Sequence, residues 1–133
     1  MIGVDTNVLV RFLAQDDARQ SPVADALVNS LTKDEPAWIG IAAILELVWV
    51  LGSRNRFDRR MIQRMLDSLL MQSRVVIEQS EAVRDALRLY RLGNAEFADC
   101  MIAASARAAG CSRTVTFDRT AARDAGMELL SSE

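Results

Sequence analysis

Four acidic residues occupy conspicuous positions in this chain of 133 residues. Glu46 interrupts the apolar run IAAILELVWVLG, and Asp99 lies in the largely apolar segment FADCMIAASA. Asp5 and Asp118 directly follow the strand-like runs MIGV and TVTF. An ionised carboxylate in apolar surroundings is costly unless a positive group pairs with it. If the four acids converge, a divalent cation held by oxygen ligands is the most economical partner.

The available donor atoms narrow the choice of cation. The chain has no histidine, and its two cysteines, Cys100 and Cys111, are not in a CxxC spacing. A zinc site is therefore not expected, and both thiols are expected to be buried and reduced. Hard carboxylate oxygens select Mg²⁺, with Mn²⁺ as a possible substitute. Because such an ion can activate water and stabilise charge on a phosphate oxygen, the predicted chemistry is that of phosphate groups.

Each acid also has a structural interpretation that involves no chemistry. Asp5 and Asp118 precede predicted helices, where aspartate is a common N-cap. Asp99 falls in the first turn of a predicted helix, where the helix dipole favours a negative charge. Glu46 is expected to be buried, where an arginine is the alternative partner. Both interpretations stay open for each residue, and only the convergence of all four carries the chemical prediction.

Short strands alternate with amphipathic helices along the chain. Strands are predicted over Met1–Val4, which is expected to be buried, and over Ala37–Ile39, Val75–Ile77, Thr114–Phe117 and Met127–Leu130. One helix is predicted to begin with Ser21 as its N-cap and to stop at Glu35-Pro36. Another, from Ala42 to Leu51, is apolar nearly all round and is therefore expected to be buried. The alternation predicts an α/β sandwich with a mostly parallel sheet, and the length predicts a single domain over residues 1–133.

The sheet explains how distant acids can meet. In open parallel sheets, ligands bind beyond the carboxyl ends of the strands. The four acids follow strands or lie near helix starts, so all four are expected at that edge. Thr6, Asn7 and Thr116 are weaker candidates, each expected to hydrogen-bond a carboxylate or a water beside the ion. For these three, helix capping or strand propensity is the alternative explanation.

The basic residues are concentrated in one run. It comprises Arg54, Arg56, Arg59, Arg60 and Arg64. This run is either an RNA-contacting surface or a solvated face, and a net charge of −2 excludes neither. No apolar run reaches the roughly 18 residues of a membrane span, and the N-terminus lacks the pattern of a signal peptide. We therefore expect a cytoplasmic protein with no membrane association.

Several motifs together resemble a known family. The opening MIGVDTNVLVRFL, Glu46, the segment EFADCMIAASARAAGC and the strand TVTFD are similar to those of PIN-domain ribonucleases, more narrowly VapC-type toxins of bacterial type II toxin–antitoxin systems. The resemblance extends over essentially the whole chain. It implies a three-layer α/β/α sandwich with a mostly parallel central sheet, and a magnesium-dependent endoribonuclease acting on transfer RNA or ribosomal RNA. It also implies a homodimer and a VapB-like antitoxin whose C-terminal segment blocks the site.

The resemblance assigns roles by position. The residues that match the family's catalytic acidic quartet are Asp5, Glu46, Asp99 and Asp118. Within this quartet, Asp5 and Asp99 match the positions most often assigned to the metal. Asn7 and Thr116 match the polar supporting positions. No member of the quartet is missing, so the resemblance implies an active enzyme.

Other classes of protein were weighed against this interpretation. A haloacid-dehalogenase-like phosphatase also starts with an aspartate after its first strand, but it needs a second aspartate two residues on, where this chain has Asn7. A phospho-receiver domain needs an acceptor aspartate after a middle strand and a lysine after a late one, and neither is visible. A PIN-like binding module that only docks a partner is the non-catalytic alternative.

Overall fold

Three short parallel strands organise the N-terminal part of the chain in the computed structural model, which describes residues 1–131. They are β1 (Ile2–Gly3), β2 (Ala37–Ile39) and β3 (Val75–Ile77), in the spatial order β1-β2-β3. Ile2 lies opposite Ala37, which in turn lies opposite Val75. Because the strands run in the same direction, their carboxyl ends share one edge of the sheet.

Four helices complete this first unit, which spans Met1–Glu78. They are α1 (Thr6–Ala14), α2 (Gln20–Ser30), α3 (Ile41–Ser53) and α4 (Arg59–Met71). Helix α1 packs on both α2 and α3. Helix α3 contributes Ile44, Leu47 and Leu51 to the core, all 0 % exposed, at the spacing of a single helical stripe.

The second unit begins at Gln79. Its elements are α5 (Ser80–Leu92), α6 (Phe97–Ala108), β4 (Val115–Thr116), α7 (Arg119–Asp124) and β5 (Glu128–Leu129). Tyr90 and Phe97 join α5 to α6 through an edge-to-face ring contact with centroids 5.6 Å apart. Gly93, between these helices, has no room for a side chain, since a Cβ there would lie 2.7 Å from the Cβ of Asp124. Strands β4 and β5 pair in parallel.

The alternation of strands and helices and the parallel pairing agree with the sequence-based prediction. Every strand pair among residues 1–131 is parallel. Within the same residues, no helix is long and apolar enough to cross a membrane. The single domain over residues 1–133 stays a prediction, and residues 132 and 133 lie outside the described part of the chain.

Three local predictions are wrong, beginning with the start of α2. Ser21 is not its N-cap, because the helix already begins at Gln20 and Ser21 lies inside it, only 3 % exposed. The Ser21 hydroxyl instead donates to the Arg11 carbonyl oxygen at 2.7 Å. Asp17 takes over the capping, since its carboxylate accepts the backbone N–H groups of Arg19 and Gln20. The helix ends at Ser30, before the predicted stop.

Burial was also overestimated. The strand β1 is only two residues long, and it is not buried, with Gly3 exposed and Ile2 half-buried. Cys100 is buried as expected, whereas Cys111 is exposed; both are free thiols. Short apolar runs near a chain end or a helix end therefore do not guarantee burial here.

Helix α3 is the third correction. It is not buried all round, because Ala42, Glu46 and Trp49 form an exposed stripe beside the buried one. The run is apolar enough to be buried on every side, but only the stripe through Ile44 and Leu47 faces the core of its unit. Glu46 is therefore an exposed carboxylate and not a buried one.

Candidate active site

Asp5 lies where β1 gives way to α1. Its backbone is extended (φ −79°, ψ 157°), and its Oδ1 accepts the backbone N–H of Thr6 at 2.7 Å. Its carbonyl oxygen accepts the N–H of Val8 at 3.1 Å and so begins the helix. The residue is therefore an N-cap, as its structural interpretation predicted. Its side chain is exposed, and Oδ2 has no hydrogen-bond partner among residues 1–131.

Glu46 shares two pockets of the first unit with Asp5. One pocket, of about 410 Å³, is also lined by Asn7, Trp49 and Arg54. The other, of about 490 Å³, is lined by Trp38 and Glu78 together with the same two acids. The fold thus brings together two members of the predicted quartet, from the start of α1 and the second turn of α3. Thr6 lines both pockets as well.

A hydrogen-bonded network forms one wall of the first pocket. Asp16 accepts both of its contacts with the Arg11 guanidinium at 3.2 Å, and the Asn55 amide donates to Asp16 at 2.8 Å. Gln20 holds the Nε of Arg11 at 2.7 Å. This network ties α1 to the segment after α3. Arg11 is consequently neutralised and fixed in place, and it contributes little free positive charge to the pocket.

The adjoining Asp17 shows how the loop between α1 and α2 is held. The pKa of its carboxyl is lowered, first because the Gln20 N–H donates to it and second because the Arg19 N–H does. A lowered pKa means that the ionised form stabilises the fold above the unfolded-state pKa. That stabilisation is lost only as pH falls through the lower, folded-state value. This cap is therefore fully formed at neutral pH.

Glu78 is a residue of this edge that the sequence analysis missed. It directly follows β3, and its Oε1 accepts the backbone N–H of Ile41 at 2.8 Å, which caps the first turn of α3. It also lines the second pocket beside Asp5 and Glu46. The signal was present in the sequence, because an acid that directly follows a β-branched strand was the criterion that singled out Asp5.

The other two members of the quartet belong to the second unit. Asp99 is half-buried in the first turn of α6, and Asp118 is exposed at the N-cap of α7. Asp118 Oδ1 accepts the Ala121 N–H at 2.9 Å, while its own N–H donates to Thr116 Oγ1 at 3.0 Å. Thr116 therefore supports the backbone of Asp118, whereas a contact with its carboxylate was expected.

The basic run divides into two parts. Arg54 caps the end of α3 and lines the first pocket with Asp5 and Glu46. Arg56 lies in the following loop with a left-handed backbone (φ 58°), and Arg59 and Arg60 form the first turn of α4. None of these last three lines that pocket. Positive charge at a helix N-terminus opposes the helix dipole, so these two arginines do not serve helix stability.

The donor set can be tested against the predicted cation. No group of three or more acidic or cysteine side chains among residues 1–131 is gathered closely enough to hold a metal. Magnesium, however, is commonly bound by one or two carboxylates, with waters and substrate phosphates completing its shell. Asp5 and Glu46, both exposed and facing common pockets, satisfy that smaller requirement. The residues present therefore fit Mg²⁺ as an ion completed by water and phosphate.

The family follows from comparison with known proteins. A family model described as PIN domain matches residues 2–126, so this chain belongs to the PIN domain family. The chain is also similar to a VapC ribonuclease of Aquifex aeolicus (strain VF5), with 25 % identity over 116 residues. The aligned part covers 87 % of this chain and 86 % of that protein. Membership confirms the predicted PIN-like α/β/α fold and leaves the phosphatase and receiver alternatives without support.

Substitutions at Asp118 separate capping from charge. We expect Asp118→Ala to lower the free energy of unfolding by about 1 kcal/mol, because the Ala121 N–H loses its acceptor, and Asp118→Asn to cost much less, because asparagine caps equally well. Asp58 is the matched control, since its Oδ1 accepts the Met61 N–H at 2.9 Å in the same way. Urea denaturation of the four variants measures this. Equal losses for alanine and asparagine at both sites would contradict the capping roles.

Proposed function

We propose that this protein is a metal-dependent endoribonuclease that acts as the toxin of a toxin–antitoxin pair. The observation that carries the proposal is the pairing of Asp5 and Glu46 in shared pockets at the carboxyl edge of a parallel sheet. Family membership supplies the context, and the similarity to a VapC ribonuclease supplies the substrate class. The proposed reaction is the hydrolysis of an RNA phosphodiester bond.

Asp5 and Glu46 are suited to different tasks. Thr6 fixes one oxygen of Asp5, so the carboxylate is held in place while Oδ2 is available to a ligand. Glu46 has no hydrogen-bond partner among residues 1–131 and is free to take up a proton. Asp5 would hold Mg²⁺ or Mn²⁺, together with Asp99, which the family resemblance assigns to the metal. When bound, the ion would lower the cost of negative charge on the phosphate and favour ionisation of water.

The chemical step can be written with all atoms accounted for. The oxygen of a water molecule attacks phosphorus in line with the leaving ribose oxygen. The new oxygen–phosphorus bond forms as the bond to the leaving oxygen breaks. A proton from the water passes to a carboxylate, for which Glu46 is the candidate, and the leaving oxygen takes a proton from solvent. One product then ends in a phosphate and the other in a hydroxyl group.

Asp99 and Asp118 are proposed to act in the same reaction. The family resemblance places both in the acidic quartet, and each lies at the start of a helix, where the positive end of the dipole favours the ionised form. Thr116 is proposed as a positioning residue, because its hydroxyl holds the backbone of Asp118. Thr6 has the corresponding role for Asp5 through its backbone N–H, and Asn7 is a further polar neighbour in the pocket.

The biological setting is proposed from the family. The protein would work as a cytoplasmic homodimer that cleaves a transfer RNA or a ribosomal RNA. A VapB-like antitoxin would bind it and block the acidic pockets. Similarity to a VapC ribonuclease over most of both chains supports this assignment.

A non-catalytic role is the second candidate. It is favoured by the observation that no three potential metal ligands gather among residues 1–131. A module that only docks a partner has no need for an ion. Metal binding and RNA cleavage, measured on the same preparation, therefore separate the two candidates.

Neutral variants of the four acids test the proposed enzyme. We expect Asp5→Asn, Glu46→Gln, Asp99→Asn and Asp118→Asn each to slow RNA cleavage by about 10²- to 10⁴-fold, the range for loss of a group that transfers a proton or holds the reacting centre. Cleavage of transfer RNA and ribosomal RNA is followed on gels with Mg²⁺ or Mn²⁺, and with EDTA as the metal-free control. Mn²⁺ binding should weaken in Asp5→Asn.

Asp58→Asn is the control for these variants, because it changes an N-cap carboxylate of the same kind outside the proposed site. It should cleave RNA and bind Mn²⁺ like the unmodified protein. Induction of the gene in bacteria should arrest growth, and Asp5→Asn or Asp99→Asn should relieve the arrest. The enzyme proposal is wrong if the unmodified protein cleaves none of these RNAs with either metal present.

The arginines at the start of α4 are tested by charge reversal. Arg59→Glu combined with Arg60→Glu should weaken RNA binding and reduce its dependence on salt concentration, by about 0.7 in the logarithmic slope for each lost phosphate contact with a single strand. Lys33→Glu combined with Arg107→Glu makes the same change in net charge elsewhere. If both double variants bind RNA alike at several salt concentrations, Arg59 and Arg60 do not contact RNA.

A further inference from the structure

Trp49 is a large aromatic side chain that the core does not use. It is 62 % exposed, although it lies on α3 between Leu47 and Leu51, which are both fully buried. Exposed indole surface costs free energy in proportion to its apolar area, so folding alone does not account for a tryptophan at this position. The ring lines the first pocket, which also contains Asp5 and Glu46.

The helix places Trp49 close to the acids. Glu46 and Trp49 are three residues apart on α3, and residues at that spacing are neighbours on one face of a helix. Along the helix axis they are separated by about 4.5 Å. A nucleotide held at Glu46 and Asp5 would therefore have its neighbour in the chain within reach of the indole ring.

Arg54 supplies the positive charge of this pocket. Its side chain makes no hydrogen bond or ion pair within residues 1–131, in contrast to Arg11, which is held by Asp16 and Gln20. Asn55 is likewise engaged by Asp16. Arg54 is therefore the guanidinium of this pocket that is available to a phosphate, for which its planar set of donors is well suited.

The lining of the pocket favours a nucleotide over a protein partner. Carboxylate, amide and guanidinium groups surround a single exposed aromatic ring. The neighbouring groove between α1 and α2 is different, because its lining is mostly apolar and includes Val8, Val23 and Leu27. Unpaired nucleotides combine a flat base, which stacks on aromatic side chains, with a charged phosphate.

We propose that Trp49 and Arg54 form a nucleotide subsite next to the acidic pair. The Trp49 indole stacks on an unpaired base, and the Arg54 guanidinium binds a phosphate of the same strand. The subsite rests on the proposed ribonuclease function, since it serves to hold the strand beside the reacting phosphate. Stacking accepts any base, so this subsite selects single-stranded over double-stranded RNA without reading sequence.

The chain permits a direct fluorescence test. It contains two tryptophans, so Trp38→Phe leaves Trp49 as the only source of indole emission. The probe is a mixed-sequence single-stranded RNA of about 12 nucleotides in EDTA, compared with an abasic strand of the same length. In the Trp38→Phe background, RNA should quench or shift the emission of Trp49, and the abasic strand should have a much smaller effect.

Affinity measurements with the same probe complete the test. Trp49→Ala should bind RNA roughly 5- to 150-fold more weakly, and Trp49→Phe should recover part of the loss, because one stacked base is removed or restored. Met71→Ala, at an 83 % exposed position outside the pocket, is the control for loss of an exposed apolar side chain. Arg54→Gln should lower the salt dependence of binding, whereas Lys33→Gln should not.

Three results would overturn the subsite. They are a protein that binds no RNA probe, Trp49 emission that does not change at saturating RNA, and Trp49→Ala binding RNA as tightly as the unmodified protein. A Trp49→Ala variant that changes only the oligomeric state would place the ring in a protein interface and would also overturn it. Failure of the enzyme proposal is distinguishable, because it would leave RNA binding dependent on Trp49 while abolishing cleavage in all variants.

Discussion

The acidic edge of the first unit depends on the parallel pairing of three short strands. Beyond the strands themselves, the ladder continues through the Val4 N–H to the Trp38 carbonyl at 3.0 Å and the Glu78 N–H to the Ile39 carbonyl at 2.9 Å. These bonds bring the ends of β1, β2 and β3 to one line. Asp5 and Glu78 are the residues that follow β1 and β3, and α3 starts just after β2. A shift of one residue in this register would turn the acids to the other face.

The same edge provides several carboxylates with different tasks. Glu78 is committed to the backbone of Ile41, so it holds α3 in place and is not available to a ligand in the same way as Glu46. Asp5 is half committed, with one oxygen on Thr6 and the other exposed. Glu46 is uncommitted, because the core stripe of α3 turns it outward. A graded series of carboxylates is what a site needs if some groups fix geometry and others bind ligands or protons.

Much of this arrangement could be predicted from the sequence, and the failures have physical causes. Strand runs, the parallel sheet and the capping aspartates follow from local patterns, which is why Asp5 and Asp118 lie where they were expected. The exposure of Glu46 could not be predicted, because the apolar run around it contains two candidate core faces and only tertiary packing chooses between them. Glu78 and Trp49 were missed because attention was confined to acids in apolar surroundings and to basic runs. Capping by Asp17 in place of Ser21 shows a nearby carboxylate competing successfully for the same N–H groups.

The central claim is that acids from both parts of the chain serve one reaction. The most direct test compares RNA cleavage rates of Asp5→Asn, Asp99→Asn and the double variant, because residues that act together in one step lose activity non-additively. The account predicts that the double variant cleaves RNA about as slowly as the slower single variant. If the two losses multiply in the double variant, then Asp5 and Asp99 act independently, and the proposed shared site is wrong.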